Sequence, residues 1–173
     1  MPDFIPAAFL ILFSALVIVA ALHDLVSFTI PNWISVALVV AFVPAVWVAG
    51  LPVAAIGVHL AVGLAAFAVA VAMFALRWIG GGDAKLLAAV ALWIGLPALG
   101  TFALATAVAG GALALVLLAV RKDWVRAHAG TPPAWAQRLM QPDGPAPYGV
   151  AIAFGSLFAL PATDILAAVQ GSL

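Results

Sequence analysis

Long apolar runs, each near the length needed to cross a bilayer and parted by short turns, constrain this chain more than anything else in it. A transmembrane helix needs about 20 mainly apolar residues. Six candidate spans reach or approach that length: Phe4–Leu22, Trp33–Ala49, Val53–Leu76, Ala84–Leu99, Thr101–Val120 and Tyr148–Val169. Turn signals separate them at Ile30-Pro31-Asn32, Gly50-Leu51-Pro52, Gly80-Gly81-Gly82 and Leu99-Gly100-Thr101. Pro44 and Pro161 fall inside spans and are expected to kink them, which neighbouring helices tolerate. The fold expected is all-α: a single polytopic membrane domain over residues 1–173. Composition agrees. With 68% hydrophobic and 7% charged residues, against about 25% charged in soluble domains, lipid is the expected surrounding. The first run lacks the basic n-region of a signal peptide, so it reads as a permanent span.

The charges orient the spans. All six basic residues, Arg77, Lys85, Arg121, Lys122, Arg126 and Arg138, flank or fill the loops between spans 3 and 4 and between spans 5 and 6. The positive-inside rule makes that side cytoplasmic and turns both termini outward. No basic stripe invites nucleic acid. The loop from Arg121 to Ala146 is Pro-rich and carries Trp124 and Trp135. It reads as an interfacial segment with its tryptophans at headgroup depth; guiding a substrate is the sharper alternative.

Chemistry has few candidates. There is no cysteine, which removes disulfides, Cys-based zinc sites and thiol nucleophiles. His23, His59 and His128 are scattered, so no metal and no cofactor is expected. All six acidic residues are aspartates: Asp3, Asp24, Asp83, Asp123, Asp143 and Asp164. The derived topology puts Asp24 and Asp83 on the cytoplasmic side. Asp24 reads either as an ordinary loop residue or as functional. Asp83 reads either as a cap on span 4 or as functional. Span 4 favours function. From Ala84 to Pro97 it rises about 20 Å at 1.5 Å per residue, against a hydrocarbon core of about 30 Å. Unless the helix continues past Pro97, Asp83 lies below the headgroups, where a carboxylate is expensive. Glycines suit that depth through positive φ or close backbone approach. Two carboxylates held together share a proton. The ionised member can take a proton from water while the other polarises a scissile carbonyl.

His23-Asp24-Leu25 followed by Ile30-Pro31-Asn32, then Gly80-Gly81-Gly82-Asp83-Ala84-Lys85, then Pro147-Tyr148-Gly149-Val150-Ala151, in that order, resembles the type IV prepilin peptidases. The short length resembles their tight-adherence (Flp pilus) branch. The resemblance implies a GxGD aspartyl protease core. It implies Asp24 and Asp83 as the catalytic pair, and Gly80, Gly82, Lys85, Pro31, Asn32, Pro147, Tyr148 and Gly149 as supporting motif residues. It also implies removal of a basic leader from a prepilin at the cytoplasmic face of the bacterial inner membrane, with lipid as the other partner. The chain departs from longer members in lacking a four-cysteine zinc region, so N-methylation is not expected of it. Val26–Thr29 also lacks the arginines often found there.

Other residues carry blander readings. Lys85 lies two positions from Asp83, on a different helix face, and is expected to snorkel; tuning the pair is the alternative. His23 reads as interfacial or as a tuner of Asp24. His59 and Asp164 are expected at the outer ends of spans 3 and 6, packing and interfacial respectively. Asp123 and Asp143 are expected to be solvated. Pro97-Ala98-Leu99 resembles the PAL element of presenilin-like proteases, but belongs at the face opposite Asp83. Three competing functions remain: a presenilin-like protease, whose first aspartate should lie inside a span; a small transporter or channel subunit, which expects ionisable groups near the midplane; and a silent pilus-assembly protein.

Overall fold

A computed structural model describes residues 4–128, 130–142 and 144–171; Asp3 and Asp143 lie outside them. The described residues form helices and no strands. In order these are α1 Phe4–Ser27, α2 Asn32–Val48, α3 Val53–Ala75, α4 Gly81–Val120, α5 Asp123–His128, α6 Ala134–Leu139 and α7 Tyr148–Ala159. A 3₁₀ turn, Leu160–Ala162, and α8 Asp164–Gly171 complete the order. The basic loop expected after Val120 thus contains two short helices.

Among the described residues, three helices are long and apolar enough to cross a membrane: Ile5–Ser27, Val53–Ala75 and Gly81–Val120. The pair Tyr148–Ala162 and Asp164–Gly171, bent by 42°, makes a fourth. That is fewer than the expected six. α2 has only 17 residues, and expected spans 4 and 5 are two helices joined at a kink within Gly81–Val120. The outward faces are apolar: Ile11, Val36, Leu64, Leu104 and Leu115 are all more than half exposed. Water would penalise so large an apolar patch, whereas lipid does not. The chain is a membrane protein.

Several boundaries differ from expectation. Leu99-Gly100-Thr101 is not a turn; helix runs through it. The break is at Gly95, with φ 65° and ψ −178°, a conformation essentially confined to glycine. Pro97, two residues on, has no N–H to continue the ladder. A sequence scan favours the Gly-Thr pair, yet Gly100 has open space around it, whereas a Cβ on Gly95 would meet the His59 ring at 2.5 Å. The imidazole occupies the place a side chain would take. His59 is fully buried, and its Nδ1 lies 2.8 Å from the Leu92 carbonyl. The expected packing and hydrogen-bonding role is what His59 has.

The break reverses the chain. Gly82 lies against Ile30, Gly95 against His59, and Gly110 against Tyr148 and Ala151. Ile30 and Gly149 are themselves neighbours, so residues 81–94 run away from one end of the bundle and residues 96–110 return to it. Pro161 stands at the α7–α8 bend, as expected, while α2 continues through Pro44. The core is aromatic at its centre. Phe13 and Phe42 pack on Trp93 with ring centroids 5.0 and 5.9 Å away. The Trp93 indole N–H, which needs a partner when buried, donates to the Leu38 carbonyl at 2.8 Å.

Candidate active site

α1 does not end at Leu22. It continues to Ser27 and carries Asp24 in its last turn. The sequence argument that this aspartate follows a completed span therefore falls, and with it one distinction from presenilin-like proteases. Two features stop the helix. Phe28 takes φ 55°, which a bulky residue rarely does, and Pro31 caps α2 in extended backbone. His23 Nδ1 lies 2.7 Å from the Thr29 carbonyl and 2.6 Å from Ser27 Oγ. The imidazole thus braces this turn.

Asp24 is 5% exposed. Its Oδ2 accepts a hydrogen bond from the Gly149 N–H at 2.8 Å. Pro147 caps α7, so Gly149 stands in the first turn, where helix N–H groups lack partners. A Cβ at Gly149 would lie 2.9 Å from that oxygen and 3.0 Å from Ile30 Cδ1. Only glycine lets the helix start come so near the carboxylate. The first and third motif segments, 125 residues apart, meet here.

Asp83 sits in the first turn of α4, not before the helix. Gly80 is the N-cap, and its N–H donates to Asp83 Oδ2 at 3.2 Å. This is the reciprocal half of a capping box, so the capping role is present. It uses one oxygen. Asp83 Oδ1 is shielded and has no hydrogen-bond partner among the described residues. Leaving a buried polar atom unpaired costs about 1–3 kcal/mol, which capping alone does not explain. The three glycines have negative φ here; their use is close approach. A Cβ at Gly82 would meet Ile30 Cβ at 3.1 Å and its N at 3.3 Å, so the loop carrying Pro31 rests directly on the start of α4.

Asp24 and Asp83 line the same two cavities, of about 690 and 310 Å³. Asp83 feels the charge of Asp24. The larger cavity is walled by Phe28, Phe74, Arg77, Trp78, Pro145, Ala146 and Tyr148; the smaller by Thr29, Ile30, Asn32 and the three glycines. Sequence reading missed Phe28, Phe74, Arg77 and Trp78. The available signal was their position at or just after the ends of α1 and α3. Arg77 ends α3 with φ 62°, and the Arg77 and Trp78 N–H groups return to the carbonyls of Phe74 and Met73, a Schellman end without glycine.

Lys85 neither snorkels freely nor bonds an aspartate. Its Nζ donates to Asn32 Oδ1 at 2.9 Å, tying the starts of α2 and α4. Asp164 lies at the opposite end of the bundle, half-exposed, its Oδ2 3.7 Å from His59 Nε2. Pro97-Ala98-Leu99 is at that end too. Asp123 opens α5. Among the described residues no group of three or more His or Asp side chains is gathered as a metal site.

Fold and site together define a helical membrane protein that presents two carboxylates to a semi-enclosed cavity. The sequence profile described as the type IV leader peptidase family matches residues 11–115, a stretch that holds both aspartates. The chain belongs to that family, and it is a protease by family. No match was found among curated proteins or among solved structures.

Proposed function

We propose that this chain is an aspartyl endopeptidase that removes the leader from Flp-type type IV prepilins at the cytoplasmic face of the bacterial inner membrane. The observation that carries the reading is that Asp24 and Asp83 line one cavity of about 690 Å³, in a chain of the leader-peptidase family. A water between the carboxylates gives its proton to the ionised one as its oxygen attacks the scissile carbonyl. The protonated one donates to the carbonyl oxygen and later, through the reversed transfer, the leaving amine gains its proton. The pair, not either member, holds the shared proton. The Gly149 and Gly80 N–H groups fix one oxygen of each carboxylate, and the remaining oxygens serve water and substrate. Phe28, Phe74, Trp78 and Tyr148 keep the cleft largely apolar.

The chain reversal at Gly95 supports six passages through the bilayer despite fewer long helices, with both termini periplasmic and the basic segments cytoplasmic. The matched Asn32–Lys85 pair gives the Pro31-Asn32 and Lys85 motif positions a shared scaffolding role. The test is co-expression with a prepilin bearing a basic leader, read as a gel shift on leader loss. Processing by the wild-type chain supports the reading. An unshifted prepilin beside well-inserted enzyme overturns it.

A further inference from the structure

A third cavity, of about 590 Å³, opens on the side of the bundle between α2, α3 and α4. Its walls are apolar: Val36, Val39 and Val40 from α2, Leu60, Leu64 and Phe67 from α3. Its floor is made of small residues, Gly63, Ala88 and Ala89, the kind that let another helix approach closely in lipid. On α4 the lining positions Lys85, Ala88, Ala89 and Leu92 recur at the spacing of one helix face. From Asn32 to Val40 the groove extends about 12 Å, at 1.5 Å per residue, which is two helical turns.

One end of this groove is polar and the rest is not. Asn32, Ser35 and Lys85 stand there. Ser35 is 8% exposed, and its Oγ has no hydrogen-bond partner among the described residues. The same end joins the candidate active site, for Asn32 lines both the groove and the smaller cavity shared by Asp24 and Asp83. Asp83 and Lys85 point to different faces of α4, so the first turns of that helix form the wall between groove and dyad. Asn32, held by Lys85 Nζ, stands at the border of the two spaces, so the polar end of the groove lies beside the aspartate cavity.

We infer that this groove seats the membrane-embedded apolar helix of the substrate, about two turns of it, so that the segment just before that helix crosses Asn32 into the Asp24–Asp83 cavity. The proposal rests on the protease reading above and adds where the uncleaved part of the substrate is held. A lipid acyl chain filling the groove has no need of a polar end beside the dyad. A helix whose neighbouring segment is to be cut does need one. Seating the helix first also converts cleavage into a step within one bound complex, which raises the effective concentration of the scissile bond.

Two measurements on the full-length, membrane-inserted protein test this. First, a photo-crosslinking amino acid replaces Leu64, which fronts lipid at 69% exposure, or Leu115, equally exposed and outside the groove. Each carries Asp83→Asn so that substrate accumulates uncleaved. Position 64 should yield a prepilin adduct through its apolar helix, at least about tenfold more than position 115. Lipid adducts alone at position 64, or equal prepilin yields at both positions, overturn the proposal. Second, Ala88→Phe fills the groove floor. The rate ratio for intact prepilin over a leader peptide with its helix truncated should fall at least about tenfold, as a rise in KM for the intact substrate. An unchanged ratio also overturns it. Failure of the wild-type chain to cleave either substrate defeats the protease reading itself. Cleavage by wild type with no groove effect defeats only the groove.

Discussion

Each end of the bundle holds an aspartate, a glycine pressed against a polar side chain and a buried atom without a hydrogen-bond partner, yet the two ends do opposite things with them. At the far end the His59 ring lies where a Cβ on Gly95 would be. Its Nδ1 meets the Leu92 carbonyl, and Asp164 stands half-exposed beyond. There His59 fills the notch at the helix break and packing closes over the imidazole. At the near end, Gly149 and Gly80 turn N–H groups onto Asp24 and Asp83, but the carboxylates open onto a cavity of about 690 Å³. Backbone donors hold these side chains without consuming them. The lesson is that an acidic residue and a close glycine do not make a site. What marks one is a second carboxylate and space for a third party.

The largest expected effect separates the ends outright. Asp24→Asn and Asp83→Asn should each lower prepilin processing by at least about 100-fold, since asparagine cannot exchange the proton. Asp164→Asn should process normally. If the pair acts as one unit, the double variant should be little worse than either single one. Asn at 83 can still accept the Gly80 N–H, so insertion and folding should survive. The readout is the prepilin gel shift, with enzyme level checked in membranes. Near-normal processing by Asp83→Asn would return that residue to its capping role.

How much of this was legible beforehand follows the same division. The near end was readable because its constraints are local in sequence: three short motifs, each with its aspartate or its glycine, and each lying at a helix terminus. Their meeting could be inferred only from resemblance, since the Gly149–Asp24 bond joins residues 125 apart. The far end was misread. Leu99-Gly100-Thr101 looks like a turn because glycine and a β-branched residue weaken a helix. The true break at Gly95 depends on His59, a residue of another helix, filling a space no window of sequence reveals. The end of α1 was set too early for a related reason. A hydropathy run stops at the first charge, but a helix stops where φ does, at Phe28. The use of the three glycines was half right. Gly82 allows close approach to Ile30, and none of the three adopts positive φ.

Two glycine substitutions sharpen the contrast. Gly149→Ala puts a methyl 2.9 Å from Asp24 Oδ2 and 3.0 Å from Ile30 Cδ1. It should push the carboxylate aside and cut processing at least about tenfold. The overpacking cost should be limited to about 1–3 kcal/mol. Gly95→Ala meets both a backbone penalty of about 1–3 kcal/mol and the His59 ring. It should destabilise more than Gly149→Ala, while the protein that does fold retains its turnover. Thermal unfolding in detergent and turnover per folded molecule, measured together, decide the matter. The reverse ranking, with Gly95→Ala stable and slow, would join the two ends into one functional unit.

His59→Ala probes the far end alone. It removes the ring that fills the Gly95 notch and leaves the Leu92 carbonyl without its partner. A buried unpaired acceptor costs about 1–3 kcal/mol, and the vacated volume adds to it. Stability should drop by several kcal/mol, and turnover per folded molecule should not. A selective loss of turnover with stability intact would show that the helix break communicates with the aspartates.

The smallest effect is expected at Lys85, which lies between the two behaviours: beside the dyad in sequence, yet bonded away from it. Its Nζ–Asn32 Oδ1 bond joins the starts of α2 and α4 and is exposed. A hydrogen bond to a charged group contributes about 1.5–3 kcal/mol when sheltered, and ordinary bonds about 0.5–1.5 kcal/mol, so exposure places this one in the lower range. Lys85→Met and Asn32→Ala should each cost that much stability and slow processing only a few-fold. The informative quantity is their coupling. If the two residues act through one another, the double variant should be less destabilised than the sum of the singles by about 0.5 kcal/mol or more. Asn32→Asp should hold the contact as an ion pair and keep the assembly near wild-type stability. Strict additivity, with Lys85→Met alone as damaging to turnover as Asp83→Asn, would detach Lys85 from α2 and make it a direct partner of the aspartates.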